Sequence, residues 1–65
     1  MYEPWLNQPV ILQVVTADVL VPVRGKIVSE SPSAVRIRID DRWDFDVFKN
    51  MIFAVERDIW PSIVA

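Results

Sequence analysis

The densest group of carboxylates in this chain is Asp40, Asp41, Asp44 and Asp46, and Arg36 and Arg38 stand just before it. Clustered carboxylates can do acid–base chemistry when a pocket pushes their pKa values apart, or can hold a divalent cation. Nothing in the sequence implies such a pocket. The plainer reading is a ladder of ion pairs, Arg against Asp, across two strands. There is no His and no Cys. The chain therefore has no imidazole base, no thiolate nucleophile and no disulfide, and a zinc site is not expected. Ser29, Ser31, Ser33 and Ser62 have no recognisable base beside them. A single glycine, Gly25, rules out a glycine-rich phosphate loop. No catalytic residue, metal or cofactor is expected, and the chain does not read as an enzyme.

Binding chemistry has better candidates. Recognition of single-stranded nucleic acid needs basic groups interleaved with flat aromatic faces. Phe48, Lys49 and Asn50 offer that combination, and Arg36 with Arg38 offers a second basic pair. Phe48 follows Val47 with no polar residue between, so it breaks the local alternation and is free either to stack a base or to pack at a subunit contact. The two arginines serve either phosphates or Asp44 and Asp46. The net charge of −2 counts against a dedicated duplex-binding protein but leaves room for a local basic patch.

These residues need elements to position them. From Ala34 to Val47 apolar and charged residues alternate, turn, and alternate again. Period-2 alternation sends successive side chains to opposite faces of a strand. Folding the stretch about Asp41 sets Ile39 against Trp43, Arg38 against Asp44, Ile37 against Phe45 and Arg36 against Asp46. A slip of one residue would put Arg38 opposite Phe45, so the register is strongly specified. The loop is Asp40, Asp41 and Arg42, and loops of this length place their last residue in the left-handed region, here Arg42.

The rest of the chain adds three more strands. Val10 to Val15 is a short β-branched run and reads as a buried strand. Val19 to Glu30 is longer. Its Pro22 belongs at an edge or bulge, and its Gly25 marks a sharp bend or a close backbone approach. Glu30-Ser31-Pro32-Ser33 is a turn cluster. Phe48 to Met51 is a brief break before a fifth strand, Ile52 to Arg57. Pro4 and Pro9 allow the N-terminal arm at most a turn of helix, with Trp5 and Leu6 as its anchors. The apolar tail, with Ile59, Trp60, Ile63 and Val64, is expected to dock. Five strands with one bent member imply an all-β fold, a small, strongly bent antiparallel barrel of SH3-like type spanning residues 1–65 as one domain, with its core at about 10–57.

Size adds a constraint. A core from 65 residues seldom supplies more than about 3–5 kcal/mol, and small folds need a staple. With no cysteine and no metal site, oligomerisation is the staple left. The 52% hydrophobic content exceeds what so small a core hides, so the surplus belongs to subunit contacts. Trp43, Phe45, Val47, Ile52, Phe53 and Val55 are the candidates. No apolar run approaches the ~18 residues of a membrane span, and the N-terminus lacks a basic secretory start, so a cytoplasmic location is expected.

Gly25-Lys26-Ile27-Val28-Ser29, then Arg36-Ile37-Arg38-Ile39, a charged hairpin, and Val47-Phe48-Lys49-Asn50-Met51-Ile52-Phe53-Ala54-Val55 together resemble the Sm/LSm family, its bacterial Hfq-type branch most of all. That branch opens its bent second strand with Gly-x-Ile. Its second motif reads roughly Val-Tyr-Lys-His-Ala-Ile-Ser-Thr-Val. Val47, Lys49, Ile52 and Val55 match it, Phe48 replaces the Tyr and Asn50 replaces the His. Glu3-Pro4-Trp5-Leu6-Asn7 is similar to the branch's Asp-Pro-Phe-Leu-Asn start, with a shortened helix. The resemblance implies an Sm-like barrel whose fourth strand pairs with the fifth strand of a neighbour, closing a homo-oligomeric ring of about five to eight subunits. It also implies binding of single-stranded RNA, with Phe48 stacking a base and Lys49 and Asn50 beside the pore. Ser31-Pro32-Ser33 stands where Sm proteins carry a base-reading Asp and Asn, and the pore His is absent. The alternative is a ring-forming scaffold or protein-interaction module of the same fold without nucleic acid, using the acidic hairpin and the apolar tail as contact surfaces.

Overall fold

The structure is a computed structural model and describes residues 1–59. A turn of 3-10 helix, Glu3–Trp5, precedes strands β1 (Pro9–Thr16), β2 (Val19–Glu30), β3 (Ala34–Ile39) and β4 (Trp43–Phe48). A second 3-10 turn, Lys49–Met51, leads into β5 (Ile52–Arg57). All five strands lie in one antiparallel sheet in the order β4-β3-β2-β1-β5. Successive strands are neighbours, as short loops dictate, with one exception. β4 and β5 follow each other in the chain yet occupy opposite edges. Only Lys49–Met51 separates them, so the sheet must curl until the end of β4 and the start of β5 lie side by side. Among the described residues hydrogen bonds do not close the circle, and β4 and β5 are the edge strands of the sheet. The expected tail contacts of Trp60, Ile63 and Val64 lie outside the described residues.

Three features curve the sheet. The first is Gly25 in β2, where a Cβ would lie 2.4 Å from the Arg38 carbonyl oxygen and 3.0 Å from Cγ1 of Ile37. No side chain fits so close an approach, which is why the chain's single glycine stands there. The others are register shifts, between Ile27 and Ser29 against β3 and between Gln13 and Val14 against β5. Such bulges bend a strand and strengthen its twist. Pro22 lies in the part of β2 that has β1 alone as a partner, since pairing with β3 starts at Lys26. Its missing N–H therefore removes no ladder bond on the β3 side.

The β3–β4 hairpin has the register its alternation dictates: Ile39 faces Trp43, Arg38 faces Asp44, Ile37 faces Phe45 and Arg36 faces Asp46. Its loop differs from expectation. Asp40 and Asp41 take the left-handed conformation, at φ 56° and 58°, and Arg42 does not. The Arg42 N–H bonds back to the Ile39 carbonyl at 3.1 Å. Aspartate tolerates this region better than arginine, so the strain falls where it is cheapest. The β1–β2 turn uses Ala17 and Asp18 in the same conformation, at φ 45° and 68°.

The core lies on the concave face. Val10, Leu12, Ile27, Val35 and Ile37 are fully buried there, each contributing about 1.5–3 kcal/mol relative to exposure. The N-terminal arm closes one side. Leu6 bridges to Ile27, the Asn7 N–H donates to the Ile27 carbonyl at 2.8 Å, and Trp5 and Leu6 pack against the core, as anchors should. Tyr2 is buried in the same cluster. Much apolar surface stays outside: Val19, Leu20, Trp43, Phe45, Phe48, Phe53 and Ile59 are all exposed. No helix of the described residues is long and apolar enough to cross a membrane.

Candidate functional site

Phe48, Lys49 and Asn50 form the junction between the two edge strands. Phe48 ends β4 and is 61% exposed, and Asn50 is exposed on the 3-10 turn. Lys49 is held. Its backbone N–H donates to the Ser33 carbonyl at 2.9 Å, which ties the junction to the β2–β3 loop. Its ammonium group donates to Oε2 of Glu30 and lies 5.9 Å from the centre of the Tyr2 ring.

Glu30 reaches this position through the bulge in β2. In an unbroken register Ser29 would share the core face with Ile27, and Glu30 would point outward. The extra residue, Val28, reverses the parity, so Ser29 pairs with the outward Arg36 and Glu30 pairs with the buried Val35. The Glu30 carboxylate consequently sits at the core rim. Oε1 accepts the Tyr2 N–H at 2.9 Å, and Oε2 accepts Lys49. The amino group of Met1 stands 3.5 Å from Oε1. The hydrogen bond from Lys49, followed by that from the Tyr2 N–H, holds the Glu30 carboxyl down at about 2, against the opposing effect of desolvation.

Three arginines are similarly engaged. Arg36 grips Asp46 with both Nε and Nη2, at 2.8 and 3.3 Å, and Arg38 grips Asp44 at 2.8 and 3.0 Å. These bonds lower both aspartates and raise both arginines relative to their ordinary values. The ladder is the arrangement that the hairpin's charge pattern prescribes. Arg24 grips Asp58 just beyond β5, at 2.8 and 3.0 Å. The Arg42 guanidinium lies 5.7 Å from the Trp43 ring centre. Among the described residues no group of three or more carboxylates is placed to hold a metal ion.

No protein-family model, curated protein or solved structure matches this chain. Its function is read from its own residues.

The six residues singled out for subunit contact divide into two groups. Trp43 and Phe45 on β4 and Phe53 on β5 are 55%, 52% and 71% exposed. Val47, Ile52 and Val55 are half-buried and pack on the core of their own chain. The exposed aromatics thus lie on the two edge strands of the sheet. Glu30 and Tyr2 are the residues that sequence reasoning missed. Glu30 ends a strand inside a turn cluster, and only the bulge, which has no clear sequence mark, turns it toward Lys49.

Proposed function

We propose that this chain is a ring-forming subunit of Sm-like architecture that binds single-stranded RNA and has no enzymatic role. The observation that carries the reading is the placement of Phe48, Lys49 and Asn50 between the two edge strands, which have no outer partner among the described residues and present exposed Trp43, Phe45 and Phe48 on β4 and Phe53 on β5. Free edges of this kind associate unless they are covered or charged. Antiparallel pairing of β4 in one copy with β5 in the next uses both edges at once. Repeated head-to-tail contacts of that kind close into a ring. Each chain would then supply one Phe48–Asn50 junction beside every subunit contact. Phe48 stacks a base, and base stacking on an aromatic ring is worth about 1–3 kcal/mol whatever the base. The curled five-stranded sheet, with its bend at Gly25, supports the barrel that the resemblance implies.

One observation favours a second reading, a ring-forming scaffold for protein partners. Arg24, Arg36, Arg38 and Lys49 are each engaged by a carboxylate of their own chain. Phosphate contacts supply most non-specific nucleic-acid affinity, so this pairing reduces it. Native mass spectrometry of the protein as purified at low salt separates the readings. A closed oligomer carrying mass removable by ribonuclease supports RNA binding. The same oligomer without nucleic acid supports the scaffold, and a monomer overturns both.

A further inference from the structure

The Glu30 carboxylate is gripped as a bound anion is gripped. A backbone N–H, from Tyr2, and an ammonium group, from Lys49, converge on its two oxygens. Neither donor lies on the same element as Glu30: Tyr2 belongs to the arm, Lys49 to the turn between β4 and β5, and Glu30 to the end of β2. The spot is also accessible. The Glu30 and Lys49 side chains are 16% and 23% exposed, and both line an open cleft with Glu3, Leu6, Ser31 and Pro32. Phe48, the proposed stacking residue, directly precedes Lys49.

We propose that Tyr2 N–H and the Lys49 ammonium form an anion site that Glu30 fills in the free chain, and that a backbone phosphate of single-stranded RNA takes this site by displacing the Glu30 carboxylate. This rests on the RNA reading above and adds a regulation to it. A phosphate oxygen and a carboxylate oxygen accept the same charge-assisted hydrogen bonds. Lys49 directly follows Phe48 in the chain, so the proposal requires a strand stacked on Phe48 to carry a phosphate to the Lys49 ammonium. Binding must then displace Glu30, and the affinity is lower than the exposed aromatic alone would give. Displacement also transfers the Tyr2 N–H from Glu30 to the phosphate, so the arm loses this hydrogen bond to the end of β2.

The test is a titration of a fluorescein-labelled ten-nucleotide single-stranded RNA at several salt concentrations. Glu30→Gln removes the competing charge and keeps the shape. It is expected to bind about tenfold tighter than the parent at low salt, because the same phosphate contact then forms without displacing a carboxylate. Adding Lys49→Ala should cancel the gain. Equal affinity for parent and Glu30→Gln overturns the displacement while leaving the RNA reading intact. No binding by either protein overturns both. A second measurement does not depend on how the variant folds. In the unaltered protein, the Tyr2 amide resonance should move on saturation with the RNA, and a resonance that stays fixed while RNA is bound overturns the proposal.

Discussion

The backbone of Gly25 lies against the carbonyl oxygen of Arg38 so closely that a Cβ would stand 2.4 Å from it. The contact joins β2 to β3 at the place where their pairing begins, and it sets the curl that brings β4 round toward β5. Backbone atoms cannot move aside as the end of a side chain can. Gly25→Ala is therefore expected to destabilise the fold by about 1–3 kcal/mol, the usual cost of overpacking. For a domain of this size each kcal/mol lowers Tm by about 4–8 °C. Thermal unfolding followed by circular dichroism checks this, and an unchanged Tm would show that β2 can shift away from β3 without loss.

Ala17 sits at φ 45° in the β1–β2 turn, a conformation that L residues other than Asn and Asp rarely adopt. The left-handed region costs a residue with a Cβ about 1–2 kcal/mol, and glycine gives back about 0.5–1 kcal/mol through the entropy of the unfolded chain. Ala17→Gly is expected to raise stability by about 0.5–1 kcal/mol. The exposed turn carries no contact that the methyl group would lose to the core. Denaturant titration with an unchanged m-value and a higher midpoint is the expected result.

The hairpin was legible because two independent patterns agree on one register. The apolar alternation sets Ile37 against Phe45, and the charge alternation sets Arg36 against Asp46 and Arg38 against Asp44. Gly25 was legible as a bend because a lone glycine in a strand pattern has few other uses. A loop of three residues puts one left-handed residue at Arg42, whereas the chain puts two, at Asp40 and Asp41. Loop length fixed where the chain turns, while residue type decided which residues bear the strain. The Glu30–Lys49 pair had no local signature. It joins residues from separate elements through a one-residue bulge at Val28, and bulges leave no reliable trace in alternation. Phe48 and Phe53 were legible as apolar. Their exposure follows from the sheet order, which places β4 and β5 at opposite edges.

Glu30 gives the chain a defined acid sensitivity. Its carboxyl is held at about 2, below the ordinary glutamate value of 4.5, by Lys49 and by the Tyr2 N–H. A group with a depressed folded-state pKa stabilises the fold above its unfolded value, and loses that contribution as pH falls toward the folded value. The Glu30 contribution is therefore complete above about pH 5 and gone by about pH 2. Asp44 and Asp46 are lowered too, so the overall acid transition is shared. Comparison with Glu30→Gln isolates the one group. The parent should exceed the variant in stability at pH 7, and the two curves should converge as pH falls toward 2. A gap that stays constant across this range would show that the Glu30 contacts do not titrate with the fold.

Phe53 and Phe45 give the proposed assembly its test. Both are more than half exposed, so neither holds the core of its own chain. Replacing each with glutamate places a charge on β5 and on β4, the device by which natural edge strands avoid pairing. Surface changes of this kind usually alter stability by less than about 0.5 kcal/mol. Phe53→Glu alone should weaken the oligomer, because every contact in a head-to-tail ring uses one β5 edge. Phe45→Glu should do the same from the β4 side. The double variant should sediment as a folded monomer with an unchanged strand spectrum. Analytical ultracentrifugation over a concentration series reads the outcome directly. An oligomer that survives both charges would place the subunit contact elsewhere, with the exposed Val19 and Leu20 of the β1–β2 hairpin as the next surface to charge.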